Sequence, residues 1–122
     1  PKHIVELNQA SLILSSNKLS RIPIEIGVLQ NLQELELRNN KIEVLPNEIG
    51  QLKNLKKLDL YGNCLTRLPA GIGQLESLHK LDLYNNQLET LPTEIGQLKN
   101  LSILGNRGLS YVLSSSHFLD KL

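Results

Sequence analysis

A fixed period of 23 residues runs through this 122-residue chain. Proline marks it most clearly, because every proline except Pro1 lies 23 residues from the next, and a glycine follows each of these prolines four residues later. A period of about 20 to 50 residues is typical of repeat architectures, in which each copy is one unit that stacks on its neighbours. The marking residues are Pro23, Pro46, Pro69 and Pro92, with Gly27, Gly50, Gly73 and Gly96.

Leucine fills the positions between these marks. The chain has 28 leucines but no tryptophan and only four aromatic residues, so its core must be aliphatic. In Leu35-Glu36-Leu37 two leucines flank one polar residue, which is the alternation of a short β-strand. The spacing after each proline is typical of a short helical or 3₁₀ segment. We therefore predict an α/β repeat solenoid, with a parallel sheet on its concave face and short helical or 3₁₀ segments on its convex face.

The aligned copies read LxxLxLxxNxLxxLPxxIxxLxx, which resembles the 23-residue form of the leucine-rich repeat family. The segment EIGQLKNLKKLDL is most similar to bacterial repeat proteins of the spirochaete kind, and it also resembles the intracellular Ras-group repeats of eukaryotes. The resemblance covers about residues 9 to 104. It implies a short horseshoe-shaped solenoid that binds other proteins.

We predict one solenoid over residues 1–122, with a degenerate N-terminal cap at 1–11, about four repeats over 12–100, and an irregular fifth repeat with a C-terminal cap at 101–122. Leu101 and Leu104 begin the fifth copy, and the following GNRG then replaces the expected leucine and asparagine. A longer array that was cut or frameshifted is the alternative. If the caps fail, an unpaired strand edge favours a weak homodimer through the chain ends.

The ninth position of each copy is asparagine. It follows the strand, where the chain turns and backbone N–H and C=O groups lose their sheet partners. A side-chain amide both donates and accepts hydrogen bonds, so stacked asparagines satisfy these groups as a ladder. We predict this structural role for Asn17, Asn40, Asn63 and Asn86.

The residue pattern argues against catalysis and metal binding. The single cysteine, Cys64, excludes an internal disulfide and a multi-cysteine zinc site. Ser77, His79 and Asp82 have the composition of a catalytic triad, but His79 and Asp82 are three residues apart on one strand and should point to opposite faces. Asp59 and Asp82 fall short of the about six to eight oxygens that calcium takes. We expect no catalytic residue, no metal and no cofactor.

The outward residues of the strands form the candidate binding surface. Equal positions of successive copies lie about 4.8 Å apart, so these residues form columns. The fifth position of repeats two to four is acidic, and lysines occupy the third position of the last two of these repeats. The seventh position is Arg38 in the repeat of Glu36 and tyrosine in the two repeats that follow. Tyrosine and arginine are enriched in interface hot spots, whereas mutual neutralisation on a solvated sheet is the alternative. The predicted partner-binding residues are Glu36, Arg38, Lys57, Asp59, Tyr61, Lys80, Asp82 and Tyr84.

These features predict a non-catalytic module that binds a protein partner through its concave face. A formal net charge of +1 does not favour nucleic acid, and no apolar run approaches the about 18 residues of a membrane span. The spirochaete resemblance implies an exported or surface protein that contacts host molecules. An intracellular signalling scaffold in the cytoplasm, and the substrate-recognition part of a larger enzyme, remain open alternatives.

Overall fold

The computed structural model describes residues 10–105 of the chain. Three-residue strands alternate with five-residue 3₁₀ helices, so each repeat consists of one strand, one helix and the loops between them. This confirms the predicted short solenoid with strands on one side and 3₁₀ segments on the other. The strands are β1 (Ser11–Ile13), β2 (Glu34–Glu36), β3 (Lys57–Asp59), β4 (Lys80–Asp82) and β5 (Ser102–Leu104), and the 3₁₀ helices are η1 (Ile24–Val28), η2 (Asn47–Gln51), η3 (Ala70–Gln74) and η4 (Thr93–Gln97).

The strands form a parallel sheet in chain order, β1-β2-β3-β4-β5. From β1 to β4 the register follows the 23-residue period, so that Leu35 pairs with Leu58 and Leu58 with Leu81. The backbone ladder continues beyond the strands, since the amide of Asn39 donates to the carbonyl of Tyr61 over 2.8 Å. Equivalent positions of successive repeats therefore lie directly beside one another.

The core is a continuous column of leucine and isoleucine, which supply every buried hydrophobic residue of the described range. The same positions are buried in each of repeats two to four (32–54, 55–77 and 78–100). They include the inward residues of the strand, the residue before the proline, the isoleucine within the 3₁₀ helix and the leucine just after it. Full burial of one such side chain contributes roughly 1.5–3 kcal/mol, while each ordered residue costs roughly 1–2 kcal/mol of backbone entropy. A repeat is therefore stable only when it is stacked on its neighbours.

The convex side is built from closely stacked 3₁₀ helices. Pro46 precedes η2 with φ −71° and ψ 149°, an extended conformation that proline readily adopts. The glycines four residues after Pro23, Pro46 and Pro69 serve close packing, since a Cβ on Gly73, for example, would lie 2.5 Å from the carbonyl oxygen of Glu94 in the next repeat.

The last strand departs from the period. Leu81 pairs with Ile103 and Asp82 with Leu104, a separation of 22 residues. Our alignment of Leu104 with the inward leucines is therefore wrong by one residue, because Ile103 packs against the core instead. Leu101 is buried at the position of Leu78, so the missing residue falls between Leu101 and Ile103. A shift of one residue exchanges the two faces of a strand, which places Leu104 on the outward face.

Most of both predicted caps lies outside the described residues, including residues 1–9 and everything after Gly105. Ser11, which was assigned to the N-terminal cap, is the first residue of β1. Between residues 10 and 105, no helix has the length and apolar character needed to cross a membrane.

Candidate functional site

Three of the predicted ladder asparagines are nearly buried and connect successive repeats. Asn63 donates from Nδ2 to the carbonyls of Leu60 in its own repeat and Leu37 in the preceding one, both at 3.0 Å. Its Oδ1 accepts from the amide of Ile42 at 3.1 Å. Asn40 and Asn86 make the equivalent bonds. These side chains satisfy buried backbone groups and connect successive repeats just beyond the carboxyl ends of the strands.

Asn17 differs from the other members of the series. Its side chain is exposed and donates only to the carbonyl of Ser15, over 3.1 Å. Its backbone amide donates to Oδ1 of Asn40 at 2.9 Å. No repeat precedes Asn17 within the described residues, so its side-chain amide makes no bond between repeats.

A second column, immediately before the asparagines, was missed by the sequence reasoning. The eighth residue of each repeat has a left-handed backbone, with φ of 57° to 70°. Asparagine and glycine adopt this conformation most readily. The signal was present in the paired asparagines at 39–40 and 85–86, with glycine at the equivalent position of the repeat between them. The column consists of Ser16, Asn39, Gly62 and Asn85.

The predicted partner-binding residues all lie together on the outward face of the sheet, which we call the concave face. Lys57 directly opposes Lys80 and Asp59 directly opposes Asp82. A shallow depression of about 280 Å³ covers the third and fifth positions of β1 to β4, and Arg38 borders it on the side of the tyrosines. The concave face comprises Glu34, Glu36, Arg38, Lys57, Asp59, Tyr61, Lys80, Asp82 and Tyr84.

Arg38 compensates the opposed aspartates. Its Nε lies 3.0 Å from Oδ2 of Asp59, and its Nη2 lies 3.9 Å from Oδ2 of Asp82. The buried Nε is not aligned for a hydrogen bond, so the contact with Asp59 is electrostatic. The second oxygen of each aspartate accepts a backbone N–H at 3.1 Å, from Tyr61 and Tyr84 respectively. Both carboxylates are therefore stabilised from within the protein.

This pairing differs from the one suggested by neighbouring columns. Arg38 was expected beside Glu36 in its own repeat, but it reaches forward across two strands, and Glu36 accepts a hydrogen bond from Oγ of Ser15 at 2.7 Å. The long side chain of arginine spans the about 4.8 Å between strands, and two carboxylates attract the guanidinium more strongly than one.

Tyr61 is held from two sides. The guanidinium carbon of Arg38 lies 4.8 Å from the centroid of the Tyr61 ring, which is a cation–π distance. Asn85 donates from Nδ2 to the phenolic oxygen of Tyr61 over 2.9 Å. Tyr84 lies beside it and is 44% exposed, and its hydroxyl has no hydrogen bond to any residue between 10 and 105. The concave face thus carries one fixed and one accessible tyrosine.

The lysines are less well compensated than the aspartates. Nζ of Lys57 lies 3.9 Å from Oε1 of Glu34, and both side chains are about half exposed. Lys80 is exposed and makes no ion pair within the described part of the chain. The two ammonium groups therefore remain available to an anion.

The geometry of the described residues gives no support to metal binding or to catalysis by Ser77, His79 and Asp82. Residues 10–105 contain no group of three or more histidine, cysteine, aspartate or glutamate side chains that could hold a metal ion. Oγ of Ser77 donates to the carbonyl of Lys53 at 2.6 Å, which directs the hydroxyl to the backbone, and His79 is exposed. Cys64 has a free, half-buried thiol.

A short parallel sheet with a polar outward face, backed by stacked 3₁₀ helices, defines a repeat scaffold that presents side chains for binding. The sequence profile of the family described as leucine-rich repeat region matches residues 2–107, and the chain therefore belongs to the leucine-rich repeat family. This family is generally a non-catalytic fold for protein interaction. No curated protein sequence matches the chain at a significant level.

Solved structures show the same fold. A leucine-rich repeat protein of Leptospira interrogans is 40% identical with a TM-score of 0.64, over 84% of this chain and 32% of that one. The plant peptide hormone receptor RGFR1 in complex with RGF2 is 35% identical with a TM-score of 0.75, and the match covers 87% of this chain and 18% of that one. A chain of the BIR3–SERK2 complex from Arabidopsis thaliana is 32% identical with a TM-score of 0.67, and the match covers 77% of this chain and 54% of that one. The chain thus spans about a third of the Leptospira protein and about half or less of the plant proteins.

Proposed function

We propose that this chain is a non-catalytic module that binds a protein partner through its concave face. The observation that carries the proposal is the fixation of Tyr61 between Arg38 and Asn85, beside the exposed Tyr84. A side chain that is already immobilised loses little conformational entropy on binding. Tyrosine and arginine are also the residue types that most often dominate binding energy.

The size of the concave face limits its affinity. The five strands of the sheet, at about 4.8 Å each and with five residues at about 3.3 Å, give a footprint of roughly 400 Å². A standard interface buries about 800 Å² on each partner. The described repeats alone are therefore expected to bind weakly, and tighter binding requires adjoining surfaces or further repeats.

An exported or surface-exposed bacterial protein that meets host molecules is the setting we propose for this module. The 40% identity to the Leptospira protein supports a bacterial origin. The likeness to a plant peptide hormone receptor in complex with RGF2 supports recognition of a peptide or protein ligand. Surface labelling of cells that express the protein tests this setting, and labelling that requires cell lysis would contradict it.

Unbiased capture of proteins by the immobilised 122-residue chain tests the binding face. The wild type is compared with the variant Tyr61→Ala/Tyr84→Ala, and bound proteins are quantified by mass spectrometry. The control, Val28→Ala/Val44→Ala, shortens two exposed apolar side chains outside the concave face. We expect a partner that is retained by the wild type and the control but lost by the tyrosine variant. Equal retention by all three would exclude the concave face.

A further inference from the structure

We infer that the concave face recognises an extended protein segment with an acidic side chain, whose carboxylate binds between Lys57 and Lys80. This inference rests on the proposed function and specifies the partner's chemistry. Its basis is a difference between the two charge pairs that β3 and β4 bring into direct opposition, one of lysines and one of aspartates.

Like charges directly opposite each other in a sheet are destabilising. The opposed aspartates are relieved within the protein, because Arg38 contacts Oδ2 of both and a backbone N–H binds Oδ1 of each. The opposed lysines lack such relief. Lys57 has one loose contact at 3.9 Å with the exposed Glu34, and Lys80 has no ion pair among residues 10–105. Of these two charge pairs, only the lysines therefore have positive charge that is not compensated within the described residues and is able to attract an anion.

The lysines are placed where a ligand can reach both of them. Both line the depression of about 280 Å³ on the concave face. Their strands lie about 4.8 Å apart, so one carboxylate can accept a charge-assisted hydrogen bond from each ammonium. The aspartates next to them repel any second anion that would bind deeper in the depression.

The distance between Lys80 and Tyr84 sets the distance between the two side chains of the ligand that contact them. These two residues are four positions apart in the same repeat, which corresponds to about 13 Å at the rise of an extended strand. A peptide that crosses the face in extended conformation has the same rise. The predicted segment therefore carries an acidic residue, three uncharged residues and then an apolar residue that contacts Tyr84.

Titration of the chain with capped peptides tests this segment. One peptide has a glutamate followed by three serines and a leucine, and the others replace the glutamate by lysine, glutamine or phosphoserine. Binding is followed by changes in backbone amide NMR shifts at low and high salt. We expect the glutamate peptide to bind about tenfold more tightly than the lysine peptide at low salt, with a smaller difference at high salt.

Two protein variants with the same change in net charge separate the lysine pair from general electrostatics. Lys57→Gln/Lys80→Gln removes the pair, and Lys41→Gln/Lys99→Gln removes two exposed lysines that do not line the depression. We expect the preference for glutamate to disappear in the first variant and to persist in the second. The unliganded Lys80→Gln protein should also melt at a temperature equal to or above that of the wild type, because the repulsion between the lysines is gone.

Equal binding of the glutamate and lysine peptides, or an unchanged preference in Lys57→Gln/Lys80→Gln, overturns the inference. Binding of the phosphoserine peptide more than tenfold tighter than the glutamate peptide also overturns it, in favour of a phosphorylated ligand. If partner capture is lost in Tyr61→Ala/Tyr84→Ala and retained in Lys57→Gln/Lys80→Gln, the acidic segment is wrong and the concave interface stands. Retention in both variants contradicts the proposed function itself.

Discussion

Asn85 donates a hydrogen bond from Nδ2 to the phenolic oxygen of Tyr61, which lies one repeat earlier, over 2.9 Å. The two residues come from adjacent columns, and the left-handed backbone of Asn85, with φ of 57°, sets the starting direction of its side chain. Arg38 contacts the ring of the same tyrosine at 4.8 Å. The fixed orientation of Tyr61 therefore depends on side chains from three consecutive repeats, so a shorter array would lack it.

Asn85→Gly tests whether this fixation matters for binding. Glycine keeps the left-handed backbone without strain, as Gly62 does at the equivalent position with φ of 70°. Loss of one hydrogen bond at an exposed site should change stability by less than about 1 kcal/mol. We expect capture of the partner to weaken about three- to tenfold, because Tyr61 must then be immobilised on binding.

The matched control is Asn39→Gly, because Asn39 has the same left-handed backbone but makes no hydrogen bond to a tyrosine hydroxyl among residues 10–105. Partner capture should be unchanged in this control. Equal affinity in both variants would mean that Tyr61 needs no support from Asn85.

Asn63→Ala should destabilise the protein strongly. The substitution leaves the buried amide of Ile42 without its acceptor and removes one of the two asparagine donors from each of the carbonyls of Leu37 and Leu60. These carbonyls keep the second donor, from Asn40 and Asn86 respectively. One unsatisfied buried polar group costs about 1–3 kcal/mol and each lost hydrogen bond about 0.5–1.5 kcal/mol, so a total loss of roughly 2–4 kcal/mol is expected. Asn17→Ala, at an exposed site, should cost less than about 1 kcal/mol. Urea unfolding of both variants measures the difference, and similar losses would contradict the ladder.

Gly73→Ala tests the close stacking of η3 on η4. The new Cβ would lie 2.5 Å from the backbone carbonyl oxygen of Glu94, which is not able to turn aside as a flexible side chain does. We expect a loss of about 1–3 kcal/mol from overpacking, although alanine is otherwise favoured over glycine in helical backbone. Thermal unfolding followed by circular dichroism measures it, and an increase in melting temperature would show that the helices can separate at no cost.

Much of the fold could be predicted because the 23-residue period determines which residues become neighbours. Leu35, Leu58 and Leu81 pair in the order that the period requires. The prediction is wrong where the period ends, since a single residue is missing between Leu101 and Ile103. An alignment that assumes a constant period cannot detect such a deletion when another leucine lies one residue further along.

The site was harder to predict than the fold. The columns of the concave face follow from the alternation of the strand, but the contacts between them depend on side-chain torsions that the repeat leaves free. Arg38 reaches Asp59 rather than Glu36, and Asn85 reaches Tyr61 from a backbone conformation that was not anticipated. Both contacts join different repeats, and an analysis of one strand at a time does not find them.

Removal of Arg38 should expose the repulsion between Asp59 and Asp82. In Arg38→Ala the two opposed carboxylates keep their backbone N–H partners but lose the cation that lies 3.0 and 3.9 Å away. All three side chains are partly exposed, so the loss should be roughly 1 kcal/mol and should shrink as salt is added. Adding Asp82→Asn to Arg38→Ala removes the repulsion and should restore most of the lost stability. If Asp82→Asn gives the same change with and without Arg38, the arginine does not compensate this pair.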